Sequence, residues 1–323
     1  MLPGNYRNRV YNKIVRSDEY RNRLLGFIQR EYGIGAVSLT PAKRGFYGET
    51  WRLDSDGAAY FLKLVYPAAH KPLYENSFAV ISHLCDHGID FICRIKKAKD
   101  ESLYTRFDNA VLGVFNWIDG ENIETDATKI PEFQMLAKVY TVPAQGVSIP
   151  REDYSGKSAE TFFGQWDKLK NERLLALLEK DRAKLEHRAK RLANFAGLCR
   201  GDPARFFITH GDAGGNFLAG GGRYYIVDWD NPVLAPPERD GWCMCGREWA
   251  RDAFQNALLQ NGITHILRKE QLAYYCYDFF FFYLSSYLDS FAPGDSVQEI
   301  EKFMDGWIEE SIRYADPVFY NHL

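Results

Sequence analysis

His210-Gly211-Asp212-Ala213-Gly214-Gly215-Asn216, followed by Ile226-Val227-Asp228-Trp229-Asp230, decides the fold. An Asp, an Asn and a second Asp stand close along the chain, joined by what reads as a hairpin. Phe206-Phe207-Ile208-Thr209 is an apolar run entering the Asp212 turn. Asn216-Phe217-Leu218 and Arg223-Tyr224-Tyr225-Ile226-Val227 read as two strands. Gly220-Gly221-Gly222 between them supplies the positive φ angles of a tight turn. A hairpin of that length returns Asp228 close to Asn216, so that oxygens of both reach one hard cation. Phosphoryl transfer from a nucleotide calls for such a set. One Asp orients the attacking hydroxyl and accepts its proton, while an Asn and a second Asp hold magnesium on the triphosphate.

Working outward towards the N-terminus, Asp18 to Tyr32 carries Tyr20, Leu24, Leu25, Ile28 and Tyr32 at helical spacing, and Gly33 closes it. Val37-Ser38-Leu39, Trp51-Arg52-Leu53 and Ala59 to Val65 read as strands, with Asp56-Gly57 as a hairpin turn. Pro72 to His87 reads as a helix with Phe78, Ile81 and Leu84 on one face. Ile92 to Lys97, Leu103-Tyr104 and Ala110 to Phe115 complete the strands of this half. Lys63 lies in an alternating strand between apolar neighbours, where a cation is costly unless it is paired or at an edge.

These residues resemble the aminoglycoside phosphotransferase family, the small-molecule branch of the protein-kinase-like fold. His-Gly-Asp stands where protein kinases have His-Arg-Asp, and Ile-x-Asp-Trp-(Asp/Glu) where they have Asp-Phe-Gly. The run Asp228-Trp229-Asp230 to Glu238-Arg239-Asp240 looks particularly like the spectinomycin phosphotransferase branch. In one respect the chain departs from the pattern, having one residue fewer between Asp212 and Asn216, a shortening that Gly214 and Gly215 accommodate.

The resemblance implies an α+β, bilobal protein-kinase-like fold, with an antiparallel-sheet N-lobe carrying a helix and a mainly helical C-lobe. The expected boundaries are residues 1–115 for the N-lobe, 116–120 for the hinge and 121–323 for the C-lobe with the catalytic loop and substrate site. It implies Asp212 as catalytic residue and Asn216 and Asp228 as magnesium ligands. It implies Lys63 on the α and β phosphates, held by Glu75 from the following helix. Gly45 and Gly48 fall in the nucleotide-covering loop, and Asn116, Trp117 and Ile118 in the hinge segment that pairs with adenine. Asp240 is expected to steady the catalytic segment. ATP is the expected co-substrate, with GTP as the other candidate.

Beyond the hinge the sequence reads as helical. Phe133 to Tyr140 forms one helix, and Ala159 to Leu198 is an amphipathic stretch of at least two. Trp249 to Gln260, Glu270 to Leu288 and Val297 to Tyr314 are three more. Asp278 lies within the aromatic middle helix and needs a partner if buried, either a substrate amine or an Arg in the core.

The 323 residues suffice for a large core, and 46% hydrophobic with 26% charged residues are globular values. A net charge of −3 gives no general attraction to nucleic acid or anionic membranes. The six cysteines lack metal-site or disulfide-framework spacing, and with a polar N-terminus a cytoplasmic enzyme is expected. The expected acceptor is a hydroxyl of a small, cationic aminoglycoside or aminocyclitol antibiotic, spectinomycin-like, as in resistance kinases. The competing readings are a metabolic kinase of the choline, homoserine or fructosamine type, and a catalytically inactive nucleotide-binding regulatory protein.

Overall fold

The computed structural model describes residues 16–42, 48–201, 205–291, 295–306 and 308–317. They belong to two compact units. One comprises Leu2–Pro150 with His210–Leu234, the other Arg151–Thr209 with Ala235–Leu323.

The first unit opens with α1 (Asp18–Tyr32), where the Ser17 hydroxyl accepts the Tyr20 N–H at 3.2 Å. Gly33, at φ 68°, ends the helix by donating its N–H to the Gln29 carbonyl. A five-stranded antiparallel sheet follows, with strands β1 (Ala36–Pro41), β2 (Glu49–Ser55), β3 (Ala58–Val65), β4 (Thr105–Phe107) and β5 (Ala110–Asn116). Their order is β1-β2-β3-β5-β4. Side chains alternate between the two faces of a strand. Leu62 and Leu64 therefore join Trp51, Leu53, Leu112 and Val114 in one apolar cluster with Leu24 and Ile28 of α1. Lys63 faces the opposite way. Glu49 is buried at the start of β2 and accepts hydrogen bonds from Arg16 at 2.6 Å and from the Trp51 indole at 2.7 Å. That pairing makes its burial affordable.

On the Lys63 face lies α2 (Lys71–Asp86). Gly113 pairs with Lys63 across β3 and β5, and a Cβ there would stand 2.5 Å from the Phe78 ring of α2. The absence of a side chain lets the helix seat. The segment 92–97 does not make the regular strand its pattern suggested. It contributes a single bridge, Ile95 to Phe115, flanked by hydrogen bonds from Lys96 to Val114 and from Asn116 to Arg94.

β6 (Glu121–Asn122) and α3 (Asp126–Val139) complete this part of the unit. A reciprocal cap between Thr125 and Thr128 starts α3 well before Pro131, whereas the apolar spacing suggested a start at Phe133. The chain re-enters the unit at His210, after β7 (Phe207–Thr209). It then forms β8 (Phe217–Gly220) and β9 (Arg223–Ile226), an antiparallel hairpin that β6 extends on the β8 side. β10 (Val233–Ala235) follows. The Ile226 N–H donates to the Phe91 carbonyl, and the Asn122 amide to that of Gly215. These bonds tie the hairpin to the Phe91 segment and to β6.

The second unit is helical: α4 (Lys157–Trp166), α5 (Glu172–Lys180), α6 (Arg182–Arg200), α7 (Glu238–Gly241), α8 (Glu248–Gln260), α9 (Lys269–Ser290), α10 (Gln298–Gly306) and α11 (Glu309–Ala315). The amphipathic stretch after residue 156 is thus three helices, α5 being capped by Asn171. α9 runs through the core, burying Tyr274, Tyr275, Tyr277, Phe280 and Phe281. Buried Asp316 accepts two hydrogen bonds from Arg191, each 2.7 Å, and one from Tyr277. Asp278 accepts a hydrogen bond from Ser158 at 2.6 Å. Burial pushes its carboxyl up to about 6, against that bond and the charge of Arg239. No described helix is long and apolar enough to cross a membrane.

Candidate active site

The site grows from the hairpin. Val227 donates its N–H to the Asn216 carbonyl at 2.9 Å, which closes the hairpin and sets Asp228 beside Asn216. His210, fully buried, spans the same gap. Its Nε2 donates to the Val227 carbonyl at 2.9 Å, and its Nδ1 accepts the Asp212 N–H at 3.3 Å. Trp229 meets the imidazole edge to face, with centroids 4.6 Å apart. One side chain thus fixes the Asp212 turn against the Asp228 strand.

Gly211 at φ 87° and Gly215 at φ 95° bend the loop through conformations that side chains resist. The loop then folds on itself, the Asn216 amide Nδ2 donating to the Asp212 carbonyl at 2.7 Å. Of the glycines expected to absorb the shortening, Gly215 takes the left-handed conformation. Asp228 itself sits at φ 66°. That is a region Asp tolerates better than most residues but still at a cost, as is common at functional sites.

Lys63 reaches this corner from β3. Its Nζ lies 2.8 Å from Asp228 Oδ1 and also binds Asp230 Oδ2. Burial alone would lower the lysine pKa, but the two carboxylates hold it well above its usual value. Burial would raise that of Asp228, but Lys63 holds it well below the usual carboxylate range. Asp230 is pushed up to about 7 by burial and by the charge of Asp228, against the pull of Lys63. The Tyr74 hydroxyl donates to Asp230 Oδ2 at 2.6 Å.

Glu75 does not meet Lys63. It pairs with Arg106 at 2.5 Å, on the more exposed side of α2. One residue along a helix is a rotation of about 100°, so Tyr74 faces the lysine and Glu75 faces away. Asp230, Tyr74 and His210 are the site groups that the sequence reading gave no role. Asp230 and His210 stand inside the two motifs, and Tyr74 is one position from the residue chosen.

Gly48 lies against β3, where a Cβ would come 3.0 Å from the Leu64 carbonyl and 3.5 Å from the Lys63 side chain. Gly45 lies outside the described residues. Asn116, Trp117 and Ile118 line a cavity of about 220 Å³ together with Cys93, Arg94 and Tyr225. That is smaller than a typical drug-sized pocket of roughly 300–1,000 Å³, and its lining includes neither Lys63 nor Asp228. The Asn116 and Trp117 N–H groups are spent on the Arg94 and Ala59 carbonyls. The Trp117 indole Nε1 is buried without a partner among the described residues.

An antiparallel sheet between two helices, a lysine on its third strand, and a hairpin carrying Asp-x-x-x-Asn and Asp define a small-molecule phosphotransferase of protein-kinase-like α+β fold. The model of the phosphotransferase enzyme family matches residues 38–272, and the chain belongs to that family. It is therefore an enzyme, a phosphotransferase with an alcohol group as acceptor. Solved structures of similar fold include a spectinomycin phosphotransferase in complex with ADP and spectinomycin. It is 19% identical over 93% of this chain and 98% of that one, with a TM-score of 0.74. An amicoumacin kinase in complex with AMP-PNP and Ca²⁺ is 12% identical over 95% and 100%, with a TM-score of 0.64. A choline kinase from Streptococcus pneumoniae is 12% identical over 93% and 100%, also at 0.64. Compared with curated proteins, the chain shows no match.

Proposed function

We propose that the enzyme transfers the γ-phosphate of ATP to a hydroxyl of a cationic aminoglycoside or aminocyclitol antibiotic of the spectinomycin kind. The observation that carries the transfer chemistry is the closed hairpin, with Asn216 hydrogen-bonded to Asp212 at its entry and Asp228 beside Lys63 at its exit. In this reading Asp212 orients the acceptor hydroxyl and takes its proton. Lys63 neutralises the non-transferred phosphates. The Asn116 to Ile118 segment is assigned the base. The rest is positioning and electrostatics.

The donor set suits a hard divalent cation such as Mg²⁺. Asp228 offers a carboxylate, and because the Asn216 nitrogen is engaged by the Asp212 carbonyl, its oxygen is the atom turned to accept. Asn216 and Asp228 would hold the ion, which neutralises charge between adjacent phosphates when bound.

The spectinomycin-type acceptor is supported by the run from Asp228 to Asp240 and by the fold shared with the spectinomycin phosphotransferase. The choline kinase of the same fold favours a second reading, a metabolic kinase for an amino alcohol. The deciding experiment is magnesium-dependent ADP release from ATP with spectinomycin, aminoglycosides, choline, homoserine and sugars, using Asp212→Ala as control. Asp212-dependent turnover with spectinomycin or an aminoglycoside is expected. Turnover only with choline or another metabolite replaces the antibiotic reading with the metabolic one.

A further inference from the structure

We infer that Asp230, locked by Tyr74, is the residue that holds Lys63 for phosphate binding in this chain, in place of a helix glutamate. This deepens the proposed function and rests on it. The Lys63 side chain is only 5% exposed, and an ammonium so placed needs a counter-charge.

Two carboxylates supply that charge, and they differ in what else they must do. Asp228 follows Val227, whose N–H meets the Asn216 carbonyl, and in the proposed function its carboxylate is shared between Lys63 and a cation. Asp230 is assigned no cation in that reading. Its Oδ2 takes Lys63 and the Tyr74 hydroxyl together. The Tyr74 ring also lies 5.0 Å from the ammonium, a favourable cation–π distance.

The segment is tied to α2 a second time, because Ser77, one turn beyond Tyr74, donates its hydroxyl to the Trp229 carbonyl. α2 therefore braces Lys63 through the 228–230 segment and not through an acid of its own. Glu75, the acid at hand, is committed to Arg106. When Asp228 turns to a cation, Asp230 keeps Lys63 paired and aimed.

The test is ADP affinity of the full-length protein by calorimetry, with and without magnesium, for wild type, Asp230→Asn, Asp230→Glu, Tyr74→Phe and Glu75→Gln. Losing a charge-assisted hydrogen bond at a buried lysine corresponds to roughly tenfold or more in affinity. Asp230→Asn should show that loss both with and without magnesium, and the KM for ATP should rise more than kcat falls. Tyr74→Phe, which keeps the ring, should show a smaller loss in the same direction. Asp230→Glu should recover part of the affinity, and Glu75→Gln should stay within about twofold of wild type. A loss in Asp230→Asn that vanishes without magnesium would overturn the assignment, by making Asp230 a metal ligand. A loss in Glu75→Gln with Asp230→Asn intact would overturn it in favour of the helix glutamate. Wild-type protein that binds no ADP would remove the kinase reading itself, which separates the two failures.

Discussion

Asp212 owes its place to the bonds of its neighbours. His210 holds both sides of the hairpin, and Gly215 lets a short loop turn. Three outcomes follow at this scale. Asp212→Ala should cut kcat by about 10²–10⁴, the usual worth of a positioned general base, and leave ADP affinity within a few-fold, since Lys63 and Asp228 remain. Steady-state kinetics beside calorimetry measures both. Gly215→Ala forces a Cβ into φ 95°, which costs roughly 1–2 kcal/mol. Chemical denaturation should show that loss, together with a fall in kcat because Asn216 moves with the loop. The third concerns Asp278 in the helical unit, whose carboxyl is raised from 3.8 to about 6. Between those values the folded protein keeps a proton that the unfolded chain has released, so stability falls as pH rises through about 4 to 6. Asp278→Asn cannot titrate and should flatten that slope. Denaturation curves from pH 4 to 7 whose difference between variant and wild type is constant would contradict it.

Among the elements, the seating of α2 on the sheet is what brings Tyr74 and Ser77 to the site, and Gly113 permits it. Gly113→Ala places a methyl 2.5 Å from the Phe78 ring, and overpacking of this kind costs typically about 1–3 kcal/mol. The same shift carries Tyr74 away from Asp230. The variant should therefore lose stability and also nucleotide affinity, while Gly57→Ala, in an open turn with φ 82°, should lose only stability. This contact marks where the sequence stopped being readable. Alternation along β3 announced Lys63, and the glycine triplet announced the β8–β9 hairpin, because both are local signals of period and turn. The rotation of α2 about its axis is not local. It is set by Phe78 finding the space over Gly113, across a long gap in sequence, so the choice between Tyr74 and Glu75 was invisible there. The same holds for residues 92–97, whose pattern suits a strand but which make only one bridge. Asp230 was visible as a letter of the motif, yet its bond to Lys63 depends on the turn at Asp228.

For the whole molecule, the arrangement has a consequence that crosses the sequence. Lys63, Asn116 to Ile118, Asp212, Asn216 and Asp228 belong to one compact unit built from Leu2–Pro150 and His210–Leu234. A ligand that binds only the folded state stabilises by RT ln(1 + [L]/Kd), about 2.7 kcal/mol at a hundredfold excess over Kd. ADP with magnesium at that excess should raise stability by about this amount in wild type, and by much less in Lys63→Ala, which removes the cation proposed to meet the phosphates. The gain should be uneven. Local opening is governed by the contacts of each region, so amide exchange should slow first in β3, in the 116–118 segment and across β8 and β9. The helices from α8 to α11 should change less on ADP alone. Segments far apart in the chain would then become protected together because they form one unit. Protection spread evenly over both units, or confined to the helices, would show that the nucleotide is not held by the Lys63–Asp228 corner.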